Sequence, residues 1–174
     1  SMTDTRNSAP ADADTAGVAV VAGHRLEYFW AAPRCAGRPV LVFLHEGLGS
    51  AKLWRDFPAR LGAATGCGVL VWSRHGYGAS DVLTEKRDVD YMHVEAREVL
   101  PALLAALDIT APILVGHSDG ASIALIHAGT QKHGQSHETS YAQIVSDLLG
   151  IPFERIALAR GDSDALARGG GTHS

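Results

Sequence analysis

The sequence predicts an α/β fold in which a mostly parallel sheet carries helices on both faces. Three continuous apolar runs have the pattern of parallel strands that are buried on both sides: PVLVFLHEG (39–47), CGVLVWSRHG (67–76) and APILVGHS (111–118). A segment with helical spacing follows each run. Strands that alternate with helices in this way pair in parallel through crossover connections, which gives the predicted fold class.

The first part of the chain predicts a hairpin before the first buried strand and a short helix after it. VAVVAG (18–23) and HRLEYFWAA (24–32) alternate in hydropathy on either side of Gly23, so we expect two strands that turn at this glycine. LWRDFPARLGAATG (53–66) has the pattern of a short helix that ends at Gly66. This helix would connect the first buried strand to the second.

Two further helices are predicted around the third buried strand. Residues 90–107 place apolar side chains near helical spacing, namely Tyr91, Val94, Val99, Leu103 and Leu107. Pro101 lies inside this segment, and because proline lacks an N–H and clashes with the preceding turn, we expect a bend or a break there. GASIALIHAG (120–129) predicts the helix that follows the third strand.

The composition is that of an ordinary globular domain. The chain has 174 residues, 46% of them hydrophobic and 20% charged, with a net charge of −4. This charge argues against a nucleic-acid or anionic-membrane surface, and no apolar run approaches the roughly 20 residues that span a bilayer. The two cysteines, Cys35 and Cys67, are far apart in sequence, which favours a reduced cytoplasmic location over a disulfide framework.

The chain divides into three parts. Residues 1–17 contain no large hydrophobic residue except Met2 and lack the order of a secretory signal, so we expect a disordered tail in which Ser1 is a cloning remnant. Residues 18–128 carry the predicted sheet and its helices. Residues 129–174 are more polar, and we expect them to pack on the same sheet.

The segment GHSDG (116–120) is the strongest functional signal in the chain. It matches the pattern G-x-S-x-G and lies between a predicted buried strand and a predicted helix, where a sharp turn would raise the Ser118 hydroxyl above the sheet. The helix that begins there directs backbone N–H groups at any developing oxyanion. We therefore interpret Ser118 as a catalytic nucleophile on a strained and exposed turn.

A second loop is a candidate source of the oxyanion-binding N–H that such a nucleophile requires. LHEGLGS (44–50) ends an earlier buried strand, at the place where an oxyanion-binding N–H is expected. The backbone amides of Gly47 and Asp119 are our candidates for the two donors. A loop of this kind can also simply end a strand, but the serine turn downstream favours the functional interpretation.

These segments resemble the α/β-hydrolase superfamily. VLVFLHEGLGS, LWRDFP, GVLVWSRHGYGASD and ILVGHSDGASIALIHAG occur in the family's order, over roughly residues 18–128. The resemblance implies a truncated α/β-hydrolase-like domain with Ser118 as nucleophile and an esterase or carbon–carbon-bond hydrolase activity. It also implies that Arg74 and Asp81 form a structural pair rather than act as catalysts.

The base for this serine cannot be assigned from the resemblance. In the family an acid and then a histidine follow the nucleophile late in the chain, and only 56 residues follow Ser118 here. By analogy with a late strand of the family, RIALARGDSDALA would present Asp164 as the acid and His173 would be the base. The segment GDSD is also typical of another family, which weakens this analogy.

Residues 129–174 resemble part of the molybdopterin-binding subunit of xanthine and carbon monoxide dehydrogenases. The matching segments are GTQKHGQSHET, AQI, LGIP and GDSDALARGGGTHS. In that family Gly134-Gln135 and the GGGTHS loop lie near the pterin. We nevertheless expect no cofactor, because the family's other cofactor-binding segments are absent, and no metal, since His133 and His137 are separated by a glycine that disfavours a shared helix face.

Three functions follow from these observations. The first is a serine hydrolase that is weak or inactive for lack of a base and acts on a small ester-like molecule. The alternatives are a non-catalytic chimeric or engineered fragment, and a fragment of a molybdenum hydroxylase. We expect no nucleic-acid or membrane partner. Residues 154–159 are predicted to extend the sheet as a parallel strand, with 139–149 in the crossover, and an open edge would instead favour a homodimer.

Overall fold

The computed structural model describes residues 16–130, which form one five-stranded sheet with helices on both faces. The strands lie in the order β1-β2-β4-β3-β5. Their bounds are β1 Ala16–Val21, β2 His24–Ala32, β3 Val40–Leu44, β4 Gly68–Trp72 and β5 Pro112–Gly116. The helices are α1 Phe57–Thr65, α2 Tyr91–Val94, α3 Leu100–Ala106 and α4 Asp119–Thr130.

The α/β class is confirmed, with a sheet that is mixed. β3 lies between β4 and β5 and is parallel to both, whereas β2 runs antiparallel to β4 and to β1. All residues of β3 and β4 are buried, as their continuous apolar runs predict. The three parallel strands therefore bring their carboxyl ends together at one edge, where a functional site is expected in an open α/β sheet.

The hairpin turns where the sequence predicts. Ala22 and Gly23 connect β1 to β2 with φ values of 51° and 80°. Two consecutive positive φ values are the mark of a type I′ turn, whose twist matches that of the strands it joins. Gly23 takes this conformation without a steric cost, which explains the position of the turn.

The apolar side chains form two clusters, one on each face of the sheet. On one face Leu70 and Trp72 of β4 pack with Leu100 and Leu103 of α3 and with Ile123 of α4. On the other face β3 and β4 pack against α1 through a second cluster, whose buried members are Leu41, Phe43, Ala51, Leu61, Cys67, Val69 and Val71. Helices on both faces are therefore confirmed.

The single helix predicted over 53–66 is wrong in part. A 3₁₀ turn, Ala51–Trp54, is separated from α1 by Arg55, whose φ is 54°. A non-glycine residue with a positive φ cannot continue a right-handed helix, so the segment divides there. The predicted end is correct: Gly66 closes α1 with a φ of 67°, and its N–H donates to the Gly62 carbonyl at 2.8 Å.

The irregularity predicted at Pro101 takes the form of a π-helical turn. Residues Glu95–Val99 form this turn between α2 and α3, and the Leu100 N–H donates to the Glu95 carbonyl. Pro101 follows in the first turn of α3, where its missing N–H costs least. The helix axis continues past the proline because the hydrogen-bond pattern widens immediately before it.

Several sequence predictions lie outside the described residues. These are the tail up to residue 15 with its Ser1, the strand at 154–159 with its crossover, the histidines at 133 and 137, and the candidate acid and base, Asp164 and His173. The last two residues of the predicted tail, Ala16 and Gly17, are not disordered but begin β1. Within 16–130, Cys35 is exposed and Cys67 buried, and neither forms a disulfide. None of the helices in this part of the chain is long and apolar enough to cross a membrane.

Candidate active site

Ser118 lies on a tight turn between β5 and α4. Its φ is 52°, and its side chain is exposed. The Gly120 N–H donates to the His117 carbonyl and the Ala121 N–H to the Ser118 carbonyl, both at 2.9 Å. The strain and exposure predicted for Ser118 are therefore present, and a left-handed backbone costs a non-glycine residue about 1–2 kcal/mol.

The two glycines of the motif allow the turn to press against the end of β3. A Cβ on Gly120 would overlap the Leu44 carbonyl oxygen and lie 2.7 Å from the His45 oxygen, and one on Gly116 would lie 2.5 Å from the Ala121 nitrogen. The His117 N–H also donates to the Leu44 carbonyl at 3.1 Å. Side chains at these glycine positions would push α4 off the sheet, which explains the G-x-S-x-G spacing.

The structure brings Gly47 and Asp119 together beside this turn. A Cβ on Gly47 would lie 2.7 Å from Oδ2 of Asp119. Within residues 16–130 neither the Gly47 N–H nor the Asp119 N–H donates a hydrogen bond. Asp119 is the first residue of a 12-residue helix, whose positive dipole end adds to the attraction for an anion. Two unengaged backbone donors next to Ser118 have the chemistry of an oxyanion hole.

Arg74 holds the loop that carries Gly47. It is fully buried, and its Nη1 and Nη2 donate to the carbonyls of His45 at 2.5 Å and Glu46 at 2.9 Å. Its backbone N–H donates to Nε2 of His45 at 3.0 Å. Three hydrogen bonds from one residue therefore fix the two positions immediately before Gly47.

The predicted pairing of Arg74 with Asp81 is wrong. The terminal nitrogens of Arg74 are engaged by the carbonyls at the end of β3, and Oδ2 of Asp81 accepts instead from the Arg25 N–H at 2.8 Å. Both residues are structural, as predicted, but they fix different loops. The sequence places them seven positions apart in one loop, and this proximity suggested a partnership that the fold does not use.

His45 is a neutral, buried histidine that serves this same loop. Its Nε2 accepts from Arg74 while its Nδ1 lies 2.7 Å from the Glu46 carbonyl, so the proton is on Nδ1. Burial, and then the charge of Arg74, lower the pKa of His45 to about 4. A second proton would place an N–H against the Arg74 N–H, which is why the folded state excludes it.

This buried histidine predicts an acid-sensitive fold. The unfolded His45 takes up a proton near pH 6.5 and the folded one only near pH 4, so stability is complete above pH 6.5 and falls as the pH drops towards 4. The slope approaches ~1.4 kcal/mol per pH unit, for a total loss of about 3 kcal/mol. Urea unfolding of the wild type and of His45→Gln, which keeps an acceptor but does not titrate, measures this contribution.

The contribution of His45 to this pH dependence is isolated by comparing the wild type with two variants. Burial raises the pKa of Glu95, so that carboxyl favours folding as the pH falls, and only the difference between wild type and His45→Gln reports the histidine. The exposed His93 supplies a control for the substitution itself, and His93→Gln should leave the free energy of unfolding at neutral pH close to that of the wild type. Parallel curves for wild type and His45→Gln between pH 4 and 6.5 would contradict this assignment.

A cluster of polar side chains behind the turn was not predicted. The Tyr91 hydroxyl of α2 donates to Oδ2 of Asp119. The Arg87 guanidinium lies 5.1 Å from the ring centres of both Tyr77 and Tyr91, and its Nη1 lies 3.8 Å from Oε1 of Glu95. These contacts join segments that are distant in sequence, and no sequence motif predicts them.

The imidazole of His117 lies in the turn itself, where it forms a surface pair with Glu46. Nδ1 of His117 is 3.5 Å from Oε2 of Glu46, with both side chains substantially exposed, so the pair contributes little to stability. Both line a small cavity of about 50 Å³ with Leu53 and Trp54. A larger cavity, about 290 Å³, lies against the hairpin and α2, and Ser118 is not among its lining residues.

No base for Ser118 is found within the described residues. Across 16–130 no imidazole or carboxylate is hydrogen-bonded to the Ser118 hydroxyl, and the nearby His45 is occupied by Arg74 and Glu46. The same part of the chain contains no group of three His, Cys, Asp or Glu residues that could hold a metal ion. What the structure assembles is an exposed serine hydroxyl beside two amide donors.

The chain belongs to the α/β hydrolase fold family, whose model matches residues 39–136. Two of the similar solved structures resemble this chain in sequence as well as in fold. One is the haloalkane dehalogenase DatA from Agrobacterium tumefaciens C58, at 26% identity and a TM-score of 0.53 over 68% of this chain and 38% of that one. The other is VinJ, at 28% identity and a TM-score of 0.58 over 69% of this chain and 40% of that one. The chain thus spans about two fifths of these hydrolase-fold proteins.

A second family matches the other part of the chain. The model of a molybdopterin cofactor-binding domain matches residues 103–174. The carbon monoxide dehydrogenase large chain of Afipia carboxidovorans is 44% identical over 57 residues, which are 33% of this chain and 7% of that protein. The nicotine 6-hydroxylase large subunit of Paenarthrobacter nicotinovorans is 43% identical over 54 residues, 31% of this chain and 7% of that subunit. The sequence therefore contains segments typical of two different families, which supports a chimeric interpretation.

The described part of the second match does not fit a bound pterin. Residues 103–130 form the end of α3, β5 and α4, whose buried side chains are largely apolar and belong to the core, such as Leu103, Ile109 and Ile123. The free Asp119 N–H of this stretch belongs to the serine turn. A cofactor cradle would need polar groups facing an open cleft, which these core side chains do not provide.

Proposed function

We propose that this chain is a serine hydrolase of low activity that cleaves small esters through an acyl-enzyme on Ser118. The observation that carries the proposal is the position of Ser118 on a strained, exposed turn beside the unengaged amides of Gly47 and Asp119. The esterase class follows from the family resemblance of these segments, and carbon–carbon-bond hydrolysis of an acyl compound remains the related alternative.

In the proposed reaction Oγ of Ser118 attacks the ester carbonyl carbon. The carbonyl oxygen becomes an oxyanion that accepts from the N–H groups of Gly47 and Asp119, and the bond to the leaving alkoxide then breaks. Water hydrolyses the acyl-enzyme and releases the acid. The serine proton passes to solvent unless a base is supplied from beyond residue 130, for which Asp164 and His173 are the candidate acid and base.

We expect a low rate because residues 16–130 supply no base for Ser118. A serine hydroxyl without an adjacent base is a poor nucleophile at neutral pH. What remains is stabilisation by the oxyanion hole and substrate binding, which in complete triads accounts for about 10³–10⁴-fold over water once a triad residue is removed. Turnover of this order, rather than that of a complete hydrolase, is the expectation.

The experiment is covalent trapping with a p-nitrophenyl alkylphosphonate. Oγ of Ser118 displaces p-nitrophenolate from phosphorus, and the adduct persists because its hydrolysis also needs a base. We expect intact mass and peptide mapping to find one phosphonyl group, on Ser118. It should be absent in Ser118→Ala and retained in Ser122→Ala, which removes an exposed serine one turn along α4. Labelling at other residues alone, or none at all, would refute the proposal.

The second candidate is a folded chimera without catalytic activity. The match of residues 103–174 to a molybdopterin-binding domain favours it, because that match begins inside the hydrolase-like part of the chain. The same trapping experiment separates the two candidates, since a non-catalytic chimera would leave Ser118 unmodified.

A further inference from the structure

The proposed oxyanion hole contains an internal conflict. Asp119 supplies one of the two N–H donors, yet its own carboxylate lies beside the other, with Oδ2 only 2.7 Å from where a Gly47 Cβ would be. A carboxylate at the start of a helix is attracted to the same free N–H groups that an oxyanion needs. Its negative charge would also repel the oxyanion. Another donor must therefore engage this carboxylate if the two amides are to stay free.

Tyr91 is the group that contacts this carboxylate. Its hydroxyl donates to Oδ2 of Asp119 across 28 sequence positions, from α2 to the first residue of α4. Other titratable and charged groups near Tyr91 are Arg87, over its ring, Tyr77 and Glu95, which adjoin Arg87, and Arg74, whose charge acts to lower the pKa of Tyr91. The hydrogen bond to Asp119, and then burial, raise the pKa of Tyr91, so the hydroxyl keeps its proton and remains the donor.

We propose that Tyr91 is a positioning residue of the oxyanion hole: its hydroxyl engages Oδ2 of the Asp119 carboxylate beside Gly47, so that this oxygen accepts from Tyr91 and not from the N–H groups of Gly47 and Asp119. This inference rests on the proposed function. It assigns to α2 a role in keeping both donors free, and it explains how an acidic residue is tolerated directly after the nucleophile. In Tyr91→Phe the carboxylate is released to cap the N-terminus of α4.

The first test is kinetic and uses hydrolysis of a short-chain p-nitrophenyl ester by the full chain. Tyr91→Phe is expected to lower kcat about 10–100-fold with little change in KM, since the loss falls on the transition state. Adding Asp119→Asn to Tyr91→Phe should restore most of the loss because it removes the competing charge. Tyr28→Phe, a tyrosine on β2, is the matched control and should leave kcat unchanged.

The rescue distinguishes positioning from structural support. If Tyr91 merely supported the fold, neutralising Asp119 would not recover the rate. A double variant as slow as Tyr91→Phe would therefore overturn the inference, as would an unchanged kcat in Tyr91→Phe.

The second test does not depend on activity. The difference between the spectrophotometric titrations of wild type and Tyr91→Phe isolates Tyr91, whose pKa should lie above the ordinary value of a tyrosine. Asp119→Ala should lower it towards that value, and Tyr28→Phe should leave this difference in place. Identical titrations of wild type and Asp119→Ala would contradict the contact. If Ser118→Ala hydrolyses the ester as fast as wild type, the proposed function fails, whereas the titration still decides whether Tyr91 holds Asp119.

Discussion

The Gly120→Ala variant is expected to lose about 3 kcal/mol of unfolding free energy and to abolish labelling of Ser118. The added methyl would overlap the Leu44 carbonyl oxygen and lie 2.5 Å from the carbon of that group. Both atoms are backbone atoms of β3, which is hydrogen-bonded on both sides and cannot move without disturbing β4 and β5. The turn and the start of α4 must therefore shift away, and the Asp119 N–H shifts with them.

A matched glycine separates the steric effect from the general effect of adding a methyl group. Gly37 has a φ of 74°, and no atom lies within 4 Å of the place that a Cβ would take, so Gly37→Ala loses only the cost of its backbone conformation, about 1 kcal/mol. Urea unfolding of the three proteins measures the difference. Equal losses in the two variants would show that the contact between the serine turn and β3 is not as close as the structure gives.

Replacing Arg74 by methionine is expected to cost about 3–4 kcal/mol and to slow labelling of Ser118. Two buried carbonyls, of His45 and Glu46, would lose their charged donor, and the buried Glu95 would lose a stabilising positive charge. The loop before Gly47 would then be free to move, and the oxyanion donor with it. Stability and labelling should therefore decline together.

Two further variants test the geometry of this arginine. Arg74→Lys keeps the charge but not the planar fork that reaches two carbonyls, so an intermediate loss of about 1–2 kcal/mol is expected. Arg25→Met removes an exposed arginine whose backbone, rather than its side chain, meets Asp81, and should change neither quantity. A full recovery of stability in Arg74→Lys would show that charge alone, without the paired hydrogen bonds, fixes the loop.

The parts of the fold that follow local rules could be predicted from the sequence. β3 and β4 lie within continuous apolar runs because strands buried on both faces need apolar side chains on both. The sequence predicts β5 in the same way, but all its residues are only half-buried, because it is the last strand of the described sheet. The turn at Ser118 follows from two glycines around a serine between a strand and a helix. Its strained φ is the direct consequence of that spacing.

The parts that depend on long-range contacts could not be predicted. The donation from Tyr91 to Asp119 requires α2 to lie against α4, and the partners of Arg74 require β3 and β4 to be neighbours with a particular register. Arg74 and Asp81 illustrate the error that results, because nearness in the chain suggested a pair that the fold separates. Likewise, the division at Arg55 depends on a positive φ that no periodicity reveals.

A crystal structure of the chain with Ser118 phosphonylated tests most directly whether the serine turn and the loop after β3 form one catalytic site. The phosphonyl oxygen occupies the position of the oxyanion in ester hydrolysis. We predict that it lies about 2.7–3.1 Å from the backbone nitrogens of both Gly47 and Asp119, with the Asp119 carboxylate still held by Tyr91. An oxygen that faces solvent, or that contacts only one of the two amides, would contradict the assignment of this site.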